Sequence, residues 1–243
     1  MILEGKTAVI TGGASGIGLG IAQAIVAAGG SVVLLGRSQN KLEQAKTGLN
    51  AEDRVQIFSV DVGDRKQVNQ VFDTLNQQSV TIDILVNAAG VNIPNRTMAD
   101  MNPEQFDEVM QINATGAYNC MHQVLPQMRQ RHEGLVVNIC SIAGVRALNL
   151  GGVAYCASKF AMAALSTAVG NEEAQNGIRV TTIHPGEVNT PILENRPVAV
   201  PEERKAIMVQ PEDIGAIVVA IAQLPAQTHV PEMIIKPLYQ EFV

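Results

Sequence analysis

Apolar residues along this chain fall into short dense runs separated by stretches in which they recur every three or four positions. Runs of about four to eight apolar residues read as buried strands, and the three-to-four spacing reads as helix. By this rule Lys6–Thr11 is a strand, and Ile17, Ile21, Ile25 and Ala28 mark the helix behind it. Ser31–Leu35 is a second strand, with a helix beginning near Ser38. Arg54–Val60 is a third, followed by a helix through Val68, Val71, Phe72 and Leu75 with Asp64 and Gln67 as its N-terminal cap pair. Ile82–Val86 is a fourth strand. Asn102-Pro103-Glu104-Gln105 then opens a helix predicted to reach about Arg131, with a break near Gly116. Gly134–Cys140 is a fifth strand, an alanine-rich helix runs to about Ala174, and Ile178–Ile183 is a sixth. Pro211 starts the last helix, through Ile214, Ile217, Val218 and Ile221, and Glu232–Ile235 is a seventh strand. The alternation predicts an α/β fold: one doubly wound domain over residues 1–243, with a seven-stranded parallel sheet and right-handed crossovers. Residues 187–210 interrupt the pattern with prolines and charges, and are predicted to form a lid on the substrate side.

Composition narrows the function. The chain has 243 residues, 47% hydrophobic and 16% charged, as a sheet covered on both faces requires. A net charge of -6 without a Lys/Arg block argues against a nucleic-acid partner. The segment Met1–Lys6 carries no signal-peptide pattern, and no charge-free apolar run reaches the roughly 18 residues of a membrane span. Cys120, Cys140 and Cys156 are odd in number and form no disulfide framework, so a reducing, cytoplasmic setting is expected, without a membrane partner. Cys140 and Cys156 flank chemically interesting positions, as buried small apolar residues or as part of a redox-sensitive site. The four histidines lack metal-ligand spacing, and no metal is expected.

Chemistry gathers at the strand ends. The first strand runs into Thr11-Gly12-Gly13-Ala14-Ser15-Gly16-Ile17-Gly18, a strand–glycine turn–helix unit of the kind that binds a dinucleotide. Its glycines let a pyrophosphate approach the backbone, and the helix N-terminus offers unpaired N–H groups to that anion. The second strand ends in Gly36-Arg37 where an acid would hold a ribose 2′-hydroxyl; Arg37 suits a 2′-phosphate instead, which favours NADP(H) over NAD(H). Asp61, after the third strand, is placed to cap the next helix or to contact an adenine, and spacing does not separate these. Small residues in Asn87-Ala88-Ala89-Gly90 leave room for a ligand at the carboxyl edge of the sheet. Asn113 sits mid-helix, where asparagine is mildly unfavourable, a hint of function. Tyr155 and Lys159 lie one helical turn apart, so the ammonium is expected to favour the phenolate and tune the tyrosine for proton transfer. Arg146 and Arg196 are candidate partners for an anionic substrate.

Taken together, the glycine turn, Asn87-Ala88-Ala89-Gly90, Asn113, Ser141, Tyr155…Lys159 and Pro185-Gly186 resemble, in order and spacing, the classical short-chain dehydrogenase/reductase family over essentially the whole chain. The resemblance implies a Rossmann fold, a nicotinamide cofactor and a catalytic tetrad of Asn113, Ser141, Tyr155 and Lys159. It implies cofactor contacts at Gly12, Ser15, Gly16, Ile17, Gly18, Arg37, Asp61, Val62, Asn87, Ala88 and Gly90. Tyr155, Lys159, Pro185, Gly186, Val188 and Thr190 complete the expected cofactor set. It further implies a homotetramer or homodimer acting on a carbonyl or secondary alcohol. The tail Val230-Pro231-Glu232-Met233-Ile234-Ile235-Lys236-Pro237 departs from ketoacyl reductases of fatty-acid synthesis. It looks more like the branch containing 3-hydroxy acid and serine-type dehydrogenases. A small 3-hydroxy acid or related ketone is therefore the expected substrate, with a 3-oxoacyl-[acyl-carrier-protein] reductase-like enzyme as the alternative. A non-catalytic dinucleotide sensor on the same fold is the rival from another class, and the complete tetrad weighs against it.

Overall fold

The computed structural model describes residues 2–241; Met1 of the N-terminal segment, Phe242 and Val243 lie outside them. In chain order the elements are β1 (Thr7–Thr11), α1 (Gly16–Ala27), β2 (Ser31–Gly36), α2 (Gln39–Gly48), β3 (Val55–Ser59) and α3 (Arg65–Gln77). Then come β4 (Ile84–Asn87), α4 (Pro103–Met110), α5 (Gly116–Arg131), β5 (Gly134–Ile139) and α6 (Val153–Glu173). The chain closes with β6 (Ile178–Pro185), α7 (Glu202–Ala206), α8 (Pro211–Ala222) and β7 (Glu232–Ile235).

All seven strands are parallel and lie in the order β3-β2-β1-β4-β5-β6-β7. The chain therefore winds outward from β1 to one edge, returns to β4 and winds to the other. Ligands bind such sheets at the crevice where the winding reverses, here between β1 and β4. Period-two alternation sends successive side chains to opposite faces. Ala8 and Ile10 join Ile21, Ile25, Leu42, Ile214 and Val218 in the core under α1, α2 and α8. Val9 joins Val68, Phe72, Met121 and Val124 in the core under α3 and α5. A Cβ on Gly20 would stand 2.5 Å from the Pro211 carbonyl carbon, and one on Gly215 would stand 2.5 Å from the Gly20 oxygen, so α1 and α8 touch backbone to backbone.

Three local features differ from the pattern reading. Ile82 precedes the fourth strand because its N–H goes to the Gln127 side chain at 2.9 Å, outside the ladder. The long helix after Asn102 is α4 and α5 joined by one π turn, Gln111–Thr115, which carries Asn113. Gly116 follows immediately, and a Cβ there would meet Val62 at 2.6 Å. The segment 187–210 is compact: Val188 bridges Val209, and between them lie a 3-10 turn, Pro191–Asn195, and the short α7. By length and composition α6 could cross a membrane, but here it packs along β6 as the helix that carries Tyr155.

Candidate active site

The carboxyl ends of β1, β4, β5 and β6 and the segment 187–210 enclose a cavity of about 460 Å³, a size suited to a small-molecule ligand. Its first wall is the turn after β1. Gly12 adopts φ +65°, and a Cβ there would lie 3.0 Å from the Ala88 oxygen. A Cβ on Gly18 would come within 2.3 Å of the Gly12 oxygen, so the turn closes only with glycine at that position. Ser15, Gly16 and Ile17 line the same wall, with α1 starting at Gly16. Thr11, at the end of β1, receives the N–H groups of both Ala88 and Ala89 at 3.0 Å, tying the glycine turn to the strand beside it. Arg37 and Lys41 close this end; Arg37 is exposed and stands 3.7 Å from Glu108. These features fit a dinucleotide: a close-packed backbone cradle, a helix N-terminus behind it and two cations at the far end. At the end of β4, the buried Asn87 Oδ1 has no hydrogen-bond partner among the described residues.

The opposite half of the cavity is built by β5, β6 and α6. Ser141 follows β5 and its hydroxyl accepts the Ala143 N–H at 3.1 Å. The ring of the buried His184 stands 2.8 Å from the Ser141 carbonyl through Nδ1 and 2.9 Å from Glu232 through Nε2, which fixes the backbone under Ser141. Tyr155 lies near the start of α6, with part of its ring toward the cavity and protein packed densely around the rest. Burial pushes its hydroxyl up to about 12; a hydrogen bond with Ser141 and the charge of Arg96 pull the other way. Lys159 is almost fully buried, and its amine donates to the Ile139 carbonyl at 2.9 Å. That amine is 5.7 Å from the centre of the Tyr155 ring. Burial also lowers its own pKa, as expected for an ammonium taken out of water.

This differs from the expected pairing. Helical spacing does put Tyr155 and Lys159 on one face, but Lys159 is turned to a strand carbonyl, and Tyr155 is raised rather than lowered.

Gly12, Ser15, Gly16, Ile17, Gly18, Arg37, Ala88 and Gly90 line the cavity, as do Ser141, Tyr155, Lys159, Pro185, Gly186, Val188 and Thr190. Asp61, Val62, Asn87 and Asn113 are not on its wall. Asp61 accepts the Gly63 N–H at 2.9 Å, whereas Asp64 caps α3 by accepting from Lys66 and Gln67. Asn113 stands behind the wall: it accepts from the Val91 N–H at 2.8 Å and donates to the Val91 carbonyl and the Ser158 hydroxyl, each at 3.0 Å. A Cβ on Gly90 would meet Asn113 Oδ1 at 3.5 Å and Lys159 Nζ at 3.6 Å, so Asn113 and Lys159 converge on one point of the loop after β4. Arg146 is exposed and off the wall, while Arg196 lines it. The Cys140 thiol is pushed up by burial and contacts the Lys159 carbonyl, and Cys156 holds Leu148 of the 142–152 linker at 3.4 Å.

Arg96 and Glu187 are wall residues with chemistry of their own that spacing did not single out. Arg96 is an isolated arginine in an irregular loop and leaves no periodic signal. Glu187, in the lid, binds Arg196 and Arg204, each at 2.8 Å, and Tyr239 at 2.6 Å. Its partners in the C-terminal tail and the lid are distant in sequence, which is why spacing did not find it.

A family model described as short chain dehydrogenase matches residues 6–199. An uncharacterised oxidoreductase of Staphylococcus epidermidis is 32% identical over 233 residues, covering 96% of this chain and 97% of its own length. A second, from Staphylococcus aureus, is 30% identical over 98% of this chain and 99% of its own. Among solved structures, the closed form of a serine dehydrogenase complexed with NADP+ superposes with a TM-score of 0.88 at 26% identity, covering 97% of this chain and 96% of that one. An alcohol dehydrogenase from Thermococcus sibiricus complexed with 5-hydroxy-NADP gives 0.87 at 26% identity, with 98% and 99% covered. A levodione reductase gives 0.87 at 28% identity over 96% and 97%. With its doubly wound sheet, glycine cradle and Tyr155–Lys159 helix, the chain belongs to the short-chain dehydrogenase family and is an oxidoreductase acting on an alcohol or ketone with a nicotinamide cofactor.

Proposed function

We propose that this protein interconverts a small carbonyl compound and its secondary alcohol, uses NADP(H) in preference to NAD(H), and acts on a small 3-hydroxy acid or the related ketone. The observation that carries this reading is one cavity lined at one end by the glycine cradle with Arg37 and at the other by Ser141, Tyr155 and Lys159. The NADP named with two similar structures supports the cofactor choice. When bound, the nicotinamide supplies or takes the hydride that the reacting carbon gains or loses.

The chain's own residues do the rest. In reduction, the Tyr155 hydroxyl gives its proton to the carbonyl oxygen as that carbon gains the hydride; in oxidation, the same oxygen returns the proton. Burial holds the Tyr155 phenol neutral in the free protein, the form that donates a proton. Ser141, whose hydroxyl pulls the Tyr155 pKa down, orients the substrate oxygen between the two hydroxyls. Lys159, on the cavity wall, would hold the nicotinamide ribose. Asn113, bonded to Ser158 and Val91 behind it, keeps the loop after β4 in register with α6 and supports a proton path to Lys159. Asp61 and Val62 serve the adenine end. The protein acts as a homotetramer or homodimer, supported by Tyr118 and Phe160 left exposed on α5 and α6. The unpaired cysteines suit a cytoplasmic setting.

The test is a panel of small ketones and hydroxy acids, run in both directions with NADPH and NADH and followed by nicotinamide absorbance. Tyr155→Phe should cut turnover at least ~100-fold while NADPH binding survives. Near-wild-type turnover in that variant overturns the role of Tyr155. Tight NADPH binding with no turnover of any compound would favour a dinucleotide sensor.

A further inference from the structure

Arg96 is a buried guanidinium that no carboxylate among the described residues answers. It stands in the loop between β4 and α4, only 6% exposed, and lines the cavity. Each of its three nitrogens donates to a backbone carbonyl: Nε to Ile93 at 2.9 Å, Nη1 to Leu150 at 2.6 Å and Nη2 to Asn195 at 2.5 Å. Those carbonyls belong to its own loop, to the 142–152 linker and to the turn Pro191–Asn195 of the lid. Arg96 thus holds together the segments that shape the substrate half. A guanidinium carries five N–H donors, so two are left without a partner among the described residues. Burying a cation with carbonyls alone around it is costly, and such groups are ordinarily paired. Burial lowers the Arg96 pKa, and the neighbouring charge of Arg196 adds to that effect.

The charges around it do not cancel. Glu187 is the one acidic residue on the cavity wall among the described residues, and it already serves Arg196, Arg204 and Tyr239. Two guanidiniums thus share that carboxylate, and Arg96 adds a third positive charge. Tyr155 lies within electrostatic reach of Arg96, which places the excess beside the proposed reacting oxygen. Ile142, Leu148, Leu150 and Ile192 supply apolar wall around it.

We propose that Arg96 and Arg196 form a subsite for the carboxylate of the substrate, next to the carbonyl that Tyr155 and Ser141 hold. A planar guanidinium matches a carboxylate with parallel charge-assisted bonds. Three guanidiniums against the single Glu187 carboxylate leave positive charge unanswered, and the carboxylate of a substrate offsets part of it. The inference rests on the oxidoreductase reading above and narrows it to hydroxy and oxo acids whose carboxylate lies close to the reacting carbon.

The experiment uses the full chain loaded with NADP+ and titrates 3-hydroxybutyrate and its methyl ester by calorimetry. The acid should bind roughly 10- to 100-fold more tightly than the ester. Arg96→Met and Arg196→Gln should each remove most of that preference. The acid-to-ester ratio is the readout, so a general loosening of the loops that weakens both ligands alike does not imitate the effect; that result would mark Arg96 as a structural staple and overturn the subsite. Equal binding of acid and ester by the wild-type protein overturns it too, as does a preference that survives in both variants. If Arg96→Met does not fold, Arg196→Gln decides alone, because Arg204 and Tyr239 still hold Glu187 in that variant. Acid-selective binding without turnover of either compound keeps the subsite and removes the oxidoreductase reading. Turnover of both with equal KM does the reverse.

Discussion

Arg37 and Tyr155 carry the most readable chemistry of the chain, and each makes a prediction of its own. Arg37 is exposed at the end of β2 and only loosely paired with Glu108, so its guanidinium is available to a 2′-phosphate. Arg37→Ala should weaken NADPH binding by about 1.5–3 kcal/mol, roughly 10- to 100-fold, and leave NADH nearly unchanged. Fluorescence titration with both nucleotides checks this, and equal losses would refute the role. Tyr155 is raised by burial to about 12. A raised acid keeps its neutral form in the fold, so the stability that neutral Tyr155 contributes is intact below the ordinary value of 10 and is lost as pH rises through about 12. Ultraviolet difference titration of the cofactor-free protein should show a late-ionising tyrosine that Tyr155→Phe abolishes. The residue types were legible because each depends on a local word: Gly36-Arg37, or Tyr155 and Lys159 one turn apart. The sign of the Tyr155 shift was not. It depends on what surrounds the ring and on where Lys159 turns, and both are properties of the packed site.

At the scale of elements, the glycine turn is the tightest constraint. Gly18→Ala would drive a methyl to 2.3 Å from the Gly12 oxygen, a backbone atom that cannot step aside. The turn must open, so the variant should lose about 1–3 kcal/mol of stability and most of its nucleotide affinity. Urea unfolding and NADPH titration measure the two effects. Unchanged affinity would show that the turn tolerates widening. The strands were legible because each is a buried parallel run bounded by turn residues, and β2 and β7 differ from the pattern by a residue at most. The long helix after Asn102 was legible as helical and as broken near Gly116. The π turn at Gln111–Thr115 was hidden, because an extra residue per turn depends on what the bulge packs against. Here that is the loop after β4, which Asn113 clasps through Val91.

At the scale of the molecule, Glu187 joins the lid, α7 and the C-terminal tail through Arg196, Arg204 and Tyr239. Burial works against its charge, but the bonds from Tyr239, Arg204 and Arg196 outweigh it and hold the carboxyl below its usual range. A lowered carboxylate contributes stability above its ordinary value of 4.5 that is lost as pH falls through the folded value. Glu187→Gln should therefore cost about 1–3 kcal/mol at neutral pH, and that gap should close in acid. Urea unfolding at pH 7 and below 4.5 tests this, and a gap independent of pH would show that charge is not what Glu187 contributes. A chain ending at Pro237 should likewise release the lid, seen as faster proteolysis within residues 190–206 with the sheet intact.

The sequence by itself determined the alternation of strands and helices, the parallel sheet, the glycine turn and the identity of the residues facing it. Those are set by short-range periodicity and by backbone conformations that few residue types tolerate. Tertiary structure alone decided which of them meet. It turned Lys159 toward the Ile139 carbonyl, placed Asn113 behind the cavity wall and lodged Arg96 among three carbonyls from three segments. It also gathered lid and tail around Glu187. Contacts between residues far apart in sequence, and the loss of solvent that burial brings, have no local pattern to announce them.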